Sequence, residues 1–161
     1  MNTMKIQNII FVLIAVATFS CSEDRPKLGP PSSKLAGIND TWVLTGVEQL
    51  DENATRNNIL DVSSVYIGSI PTEISFDSDS FTYVVIAGTS PNFMGDSGTW
   101  SFDDNNYPTL FTITHDGITE RCSLNRTVRT VDQTLEFKYS RYCDPDLSKK
   151  TVSYNYTFTR K

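Results

Sequence analysis

The chain has 161 residues, 39% hydrophobic and 20% charged, the composition of one ordinary globular domain rather than a disordered tail. Fourteen lysines and arginines against nineteen acids leave a net charge of -5, which excludes the basic face that nucleic-acid binding needs. Three cysteines and one histidine exclude a zinc ribbon and histidine-rich metal sites, so neither a metal nor another cofactor is expected.

Residues 1–20 read as a leader. Lys5 precedes the apolar run Ile9 to Phe19. That run is far short of the roughly 20 residues that span a bilayer, and small residues follow it. Thr18-Phe19-Ser20-Cys21 resembles a bacterial lipobox. The resemblance implies that Cys21 becomes the new N-terminus and carries fatty acyl chains such as palmitate. Several chains together hold a protein on a membrane firmly, whereas one gives marginal binding. The lipid bilayer is therefore the first expected partner. Without Lys5 the mature chain has 13 positive and 19 negative side chains, so attraction to anionic lipid is not expected.

Residues 21–38 read as the lipidated cysteine and a flexible tether. Arg25-Pro26, Gly29-Pro30-Pro31 and Ser32-Ser33 offer little apolar surface to bury. Ser22-Glu23-Asp24 resembles the acidic signal that places some Bacteroidetes lipoproteins on the outer face of the outer membrane; a solvated charge cluster is the other reading.

Residues 39–161 read as all-β. Runs rich in Val, Ile, Thr, Tyr and Phe alternate with turn clusters, giving strands at about 41–50, 70–76, 81–86, 98–103, 109–114, 118–128, 135–143 and 151–159. The last shows the clearest alternation: Val152, Tyr154, Tyr156 and Phe158 share one face. Asp77-Ser78-Asp79-Ser80 and Asp103-Asp104-Asn105-Asn106 are turns built on side-chain-to-backbone bonds. Asp116-Gly117 suits a primed two-residue hairpin. Short links throughout imply an eight-stranded antiparallel up-and-down barrel, closed so that no strand edge is left exposed.

Trp42, followed by Gly98-Thr99-Trp100-Ser101-Phe102 and Tyr107-Pro108-Thr109, is similar to the lipocalin-like lipoproteins of Bacteroidetes, over roughly residues 38–161. Asp40 stands where lipocalins carry the glycine of Gly-x-Trp. The resemblance implies a lipocalin-like barrel.

The other two cysteines lie on neighbouring expected strands. If Asp132 and Gln133 are the central turn residues, Cys122 faces Cys143 in a non-hydrogen-bonded pair. Cα atoms in such a pair are about 4.5 Å apart, within disulfide range. In an oxidising compartment a Cys122–Cys143 disulfide is expected, closing a loop of about 20 residues for roughly 3 kcal/mol. The same register puts Arg126, Tyr139 and Arg141 on the cysteine face. If that face is interior, the arginines offer forked donors to a ligand carboxylate. If it turns outward, they reach water.

In a meander alternate links share an end. The long links 51–69, 87–97 and 144–150, with 115–117, lie together, so that end is the expected functional mouth. Ile59, Val65, Tyr66, Phe93 and Met94 are its apolar loop residues. Asn53 to Asp61 is expected to hold a short helix. Catalysis has little footing: His115 falls in a tight link and no Gly-x-Ser-x-Gly elbow occurs, so the chain is not expected to be an enzyme. Two functions fit an outer-membrane-anchored barrel. One is binding of a small apolar or amphipathic ligand, by Arg126, Tyr139, Arg141, Phe93 and Met94. The other is a structural or protein-interaction role through the mouth loops, as an accessory of an outer-membrane complex.

Overall fold

The computed structural model describes residues 34–56, 58–89, 91–143 and 149–161. Lipidation at Cys21 and the leader lie outside the described residues. Nine antiparallel strands follow one another: β1 (Thr41–Asp51), β2 (Ile59–Asp61), β3 (Glu73–Asp77), β4 (Thr82–Ile86), β5 (Ser97–Phe102), β6 (Leu110–His115), β7 (Ile118–Leu124), β8 (Thr134–Tyr142) and β9 (Lys150–Arg160). Among the described residues two single-turn helices, α1 (Leu35–Ile38) and α2 (Ser63–Tyr66), accompany them.

Each strand from β3 to β9 pairs with the next, and β1 closes the ring against β9, so eight strands form a barrel. This is the expected meander. β1 is long enough to serve twice on its other edge. Its first residues pair with β3, and Glu48 to Leu50 pair with the ninth strand, β2. A bulge at Thr45 lets β1 bend between these duties.

The turns follow side-chain chemistry. The Asp77 carboxylate accepts the N–H groups of Asp79 and Ser80. Asp103 does the same for Thr109 and Leu110. Asp116 and Gly117 have φ of 49° and 78°, the left-handed pair that a two-residue hairpin needs.

Three expectations are corrected. Among the described residues of 53–61 no helix forms: turn residues follow β1, then β2 pairs with it, and the helical turn comes later, at 63–66. β2 was missed because three exposed residues carry no alternation to read. The tether does not run to residue 38. Leu35–Ile38 is helical and buries Ile38 beneath the barrel, because Gly37 lets the chain approach Val128; a Cβ there would lie 2.2 Å from the Val128 carbonyl oxygen.

The third correction is the disulfide. Cys122 and Cys143 are both free. Cys122 faces Tyr139, four residues before Cys143 on β8. The β7–β8 link is a wide loop rather than a two-residue turn. Arg129 and Asp132 bond each other's backbone across its tip, and Val128 leaves the ladder to plug the barrel's closed end. Burying Val128 decides the register.

Candidate functional site at the open end

The closed end is sealed first. The Trp42 indole donates to the Ile38 carbonyl at 2.9 Å. Arg160 lies over the Trp42 ring, pairs with Asp40 and donates to the carbonyls of Gly37 and Asp132. The chain thus reaches the barrel from the N-terminal side at this end. The mouth, formed by the links after β1, β4, β6 and β8, faces the opposite way.

Aromatic side chains fill the lumen between the two ends. Phe76 contacts Tyr83, Trp100 and Phe111, with ring centroids 5.5–6.1 Å apart. Phe111 meets Phe137 at 5.9 Å, and Phe137 meets Phe158 and Tyr156. Phe93 completes the series from above, stacked on Tyr139 at 4.2 Å. A void beside these rings, lined by Leu44, Ile74, Val85, Met94, Tyr156 and Phe158 among others, is about 20 Å³. That is room for about one water molecule.

The plug is the β4–β5 loop, held by three ties. The Tyr83 hydroxyl donates to the Met94 carbonyl. Burial pushes that hydroxyl's pKa up to about 12, so it keeps its proton. His115 Nε2 lies 3.0 Å from the Phe93 carbonyl, and Gly95 packs on the imidazole at a φ of 69°. The Asn92 side chain bonds Met94 N–H and Gly95 C=O across the turn. His115 is therefore a prop under the loop. Among the described residues no three His, Cys, Asp or Glu side chains gather as a metal site.

A tyrosine group surrounds the plug. Tyr66 of α2 packs on Tyr154 at 6.0 Å, and Arg141 lies 6.0 Å above the Tyr154 ring. Burial raises the pKa of Tyr156 and Tyr139, and Glu120 adds to the rise at Tyr139. The rim beyond is apolar and exposed: Ile59, Leu60, Val65, Ile70, Ile86 and Ile118.

Of the expected ligand residues, the fold brings Phe93, Met94, Tyr139 and Arg141 to one end. Phe93 and Tyr139 stack, Met94 is buried in the plug, and Arg141 is exposed beside them. Arg126 is at the other end, outside the barrel, with Nη2 3.9 Å from Glu136. Leu60, Ile70, Ile86 and Ile118 escaped the sequence reading of the mouth, since nothing local separates a rim residue from a core residue.

On the outer wall, Lys138 pairs with Glu52 at 2.6 Å. Glu52 also accepts from Ser153, whose hydroxyl is 2.8 Å from that of Ser140. The Lys138 bond, then the Ser153 bond, hold the Glu52 carboxyl below its ordinary pKa.

Comparison with known families matches residues 18–159 to a family described as a domain of unknown function (DUF5004). No curated protein matches the chain.

Proposed function

We propose a function from geometry for this chain, which belongs to the DUF5004 family of domains of unknown function: it is a lipid-anchored envelope lipoprotein whose filled barrel is a non-catalytic platform that engages a partner protein at its mouth. The observation that carries this reading is the lumen. A small-molecule pocket holds about 300–1,000 Å³, against about 20 Å³ for the void among the side chains inside the barrel. Eight-stranded barrels are narrow enough for side chains to fill them, and this one is filled.

Two further features support the reading. The exposed residues Ile59, Ile70, Ile86 and Ile118, with Leu60 and Val65, lie on or beside links at the mouth, where contact with a partner would remove them from water. The described chain begins at the opposite end, where Leu35–Ile38 packs beside Trp42 and Arg160, so the mouth links are not covered by it. Cys21 after an apolar run, and the acidic Ser22-Glu23-Asp24, support anchoring in the outer membrane.

Native mass spectrometry of the purified chain tests this. The expected result is the mass of the polypeptide and its acyl chains alone. A reproducible excess that vanishes on denaturation would overturn the platform and establish a small-ligand carrier whose Phe93–Met94 plug withdraws.

A further inference from the structure

We propose that the outer wall of the barrel carries a saccharide site, in the cleft between β7 and β8 that Arg121, Ser140 and Tyr142 line. It lies apart from the lumen and goes beyond the platform reading.

The cleft holds about 470 Å³, within the range of small-molecule pockets, and is lined by Thr119, Glu120, Arg121, Ser140 and Tyr142. Register explains which side chains face it. Cys122 and Tyr139 form a facing pair, and Cys122 is buried inside the barrel. One step further, Arg121 and Ser140 therefore stand opposite each other on the outer face. Glu120 turns the other way, its carboxyl bonded to the Tyr139 hydroxyl. Tyr142 joins them after an irregularity between Arg141 and Tyr142 in the β8–β9 ladder, the kind of bulge that re-aims a side chain.

A buried relay fixes what Ser140 can offer. Ser153 is fully buried and donates its one proton to Glu52 at 2.6 Å. Glu52 is paired with Lys138, so it is ionised and only accepts. In the 2.8 Å contact between the Ser140 and Ser153 hydroxyls, Ser140 must then be the donor. That leaves Ser140 with lone pairs alone for a ligand. Arg121 offers donors alone, and among the described residues it forms no ion pair.

This inventory selects the ligand. A phosphate or carboxylate satisfies Arg121 but sets its oxygens against the lone pairs of Ser140. An ammonium group satisfies Ser140 but meets the positive charge of Arg121. A hydroxyl both donates and accepts, so adjacent hydroxyls satisfy the two residues at once. Tyr142 is exposed and supplies a flat apolar face with a polar tip. A ring with hydroxyls on its edge and C–H groups on its face, a neutral saccharide, matches all three side chains.

A printed array of neutral oligosaccharides, probed with the full chain in zwitterionic detergent micelles, tests the proposal. Expected is binding to a printed sugar whose free methyl glycoside shifts the amide resonances of Ser140 and Tyr142. Tyr142→Ala and Arg121→Ala should each weaken that binding about tenfold with Tm unchanged, the scale of losing an aromatic or arginine anchor. Fluorine in place of the hydroxyl that meets Ser140 should abolish binding, since fluorine cannot donate. Inorganic phosphate should not compete. The proposal is overturned by no binding on the array, by shifts at the mouth links instead, or by phosphate shifting the same amides. Binding indifferent to both substitutions, or to fluorine at every position, would also overturn it. An open wall cleft exchanges its ligand freely during purification, so the native mass tests the lumen and the array tests the wall, and each can fail without the other.

Discussion

The Arg160 guanidinium carbon sits 4.5 Å from the centroid of the Trp42 ring, joining the last strand to the first across the barrel's closure. The same side chain bonds Asp40, Gly37 and Asp132, so it ties α1, β1 and the β7–β8 loop to one point. Arg160→Leu keeps the packing of the stem and removes all of these bonds. It should cost about 2–3 kcal/mol, because two carbonyls and Asp40 lose a charged donor. Chemical denaturation followed by tryptophan fluorescence measures this, and a loss under about 0.5 kcal/mol, the scale of an ordinary surface change, would refute the clamp.

The closed end and the outer wall should also respond to acid. Thr41 N–H, then Arg160, lowers the pKa of Asp40 from its ordinary 3.8, and Lys138, then Ser153, lowers that of Glu52 from 4.5. A carboxyl with a lowered folded pKa binds more protons when unfolded, so stability rises with pH in that window. The contribution is complete above about pH 5 and is lost as pH falls through the folded values. Glu52→Gln should therefore lower stability at pH 7 by up to about 1 kcal/mol, with the gap to the unaltered protein closing towards pH 3. Parallel stability curves for the two proteins would contradict the Lys138–Glu52–Ser153 arrangement.

The thiols report the register. Cys143 is exposed, while Cys122 is buried and burial raises its pKa far above the ordinary value of 9.0. With Cys21 replaced by Ser, a thiol reagent should label Cys143 in the native protein and Cys122 after unfolding, and reductant should leave Tm unchanged. In a Cys143→Ser background, Tyr139→Cys should form a disulfide with Cys122, since that facing pair is of the close, non-hydrogen-bonded kind. Failure to form it under oxidation, in a protein that still folds, would argue for a different β7–β8 register.

Phe93 is the removable part of the lumen's filling, because it comes from a loop and stacks on Tyr139. Phe93→Ala should cost about 3 kcal/mol and leave a void that small apolar probes enter. Thermal unfolding and xenon-induced chemical shifts at Tyr139 and Tyr156 measure the two effects. An unchanged Tm with no probe uptake would mean that the loop does not plug the mouth.

Alternation in Val152 to Phe158, aspartate turns at 77–80 and 103–106, and Asp116-Gly117 were enough to place eight strands and their order. These are local signals: each depends on side-chain direction or on a residue's own backbone preference, and a hairpin meander needs little else. The sharing of the mouth among alternate links followed from that order alone. Register did not, because a wide loop and a tight turn are both compatible with residues 125–133 until Val128 is seen to be buried. Tertiary packing also decided that Arg126 and Arg141 part company, that Phe93 and Met94 fill the lumen, and that β7 and β8 diverge after Cys122. Each of these depends on which distant side chains compete for the same interior volume, a quantity that no stretch of sequence carries by itself.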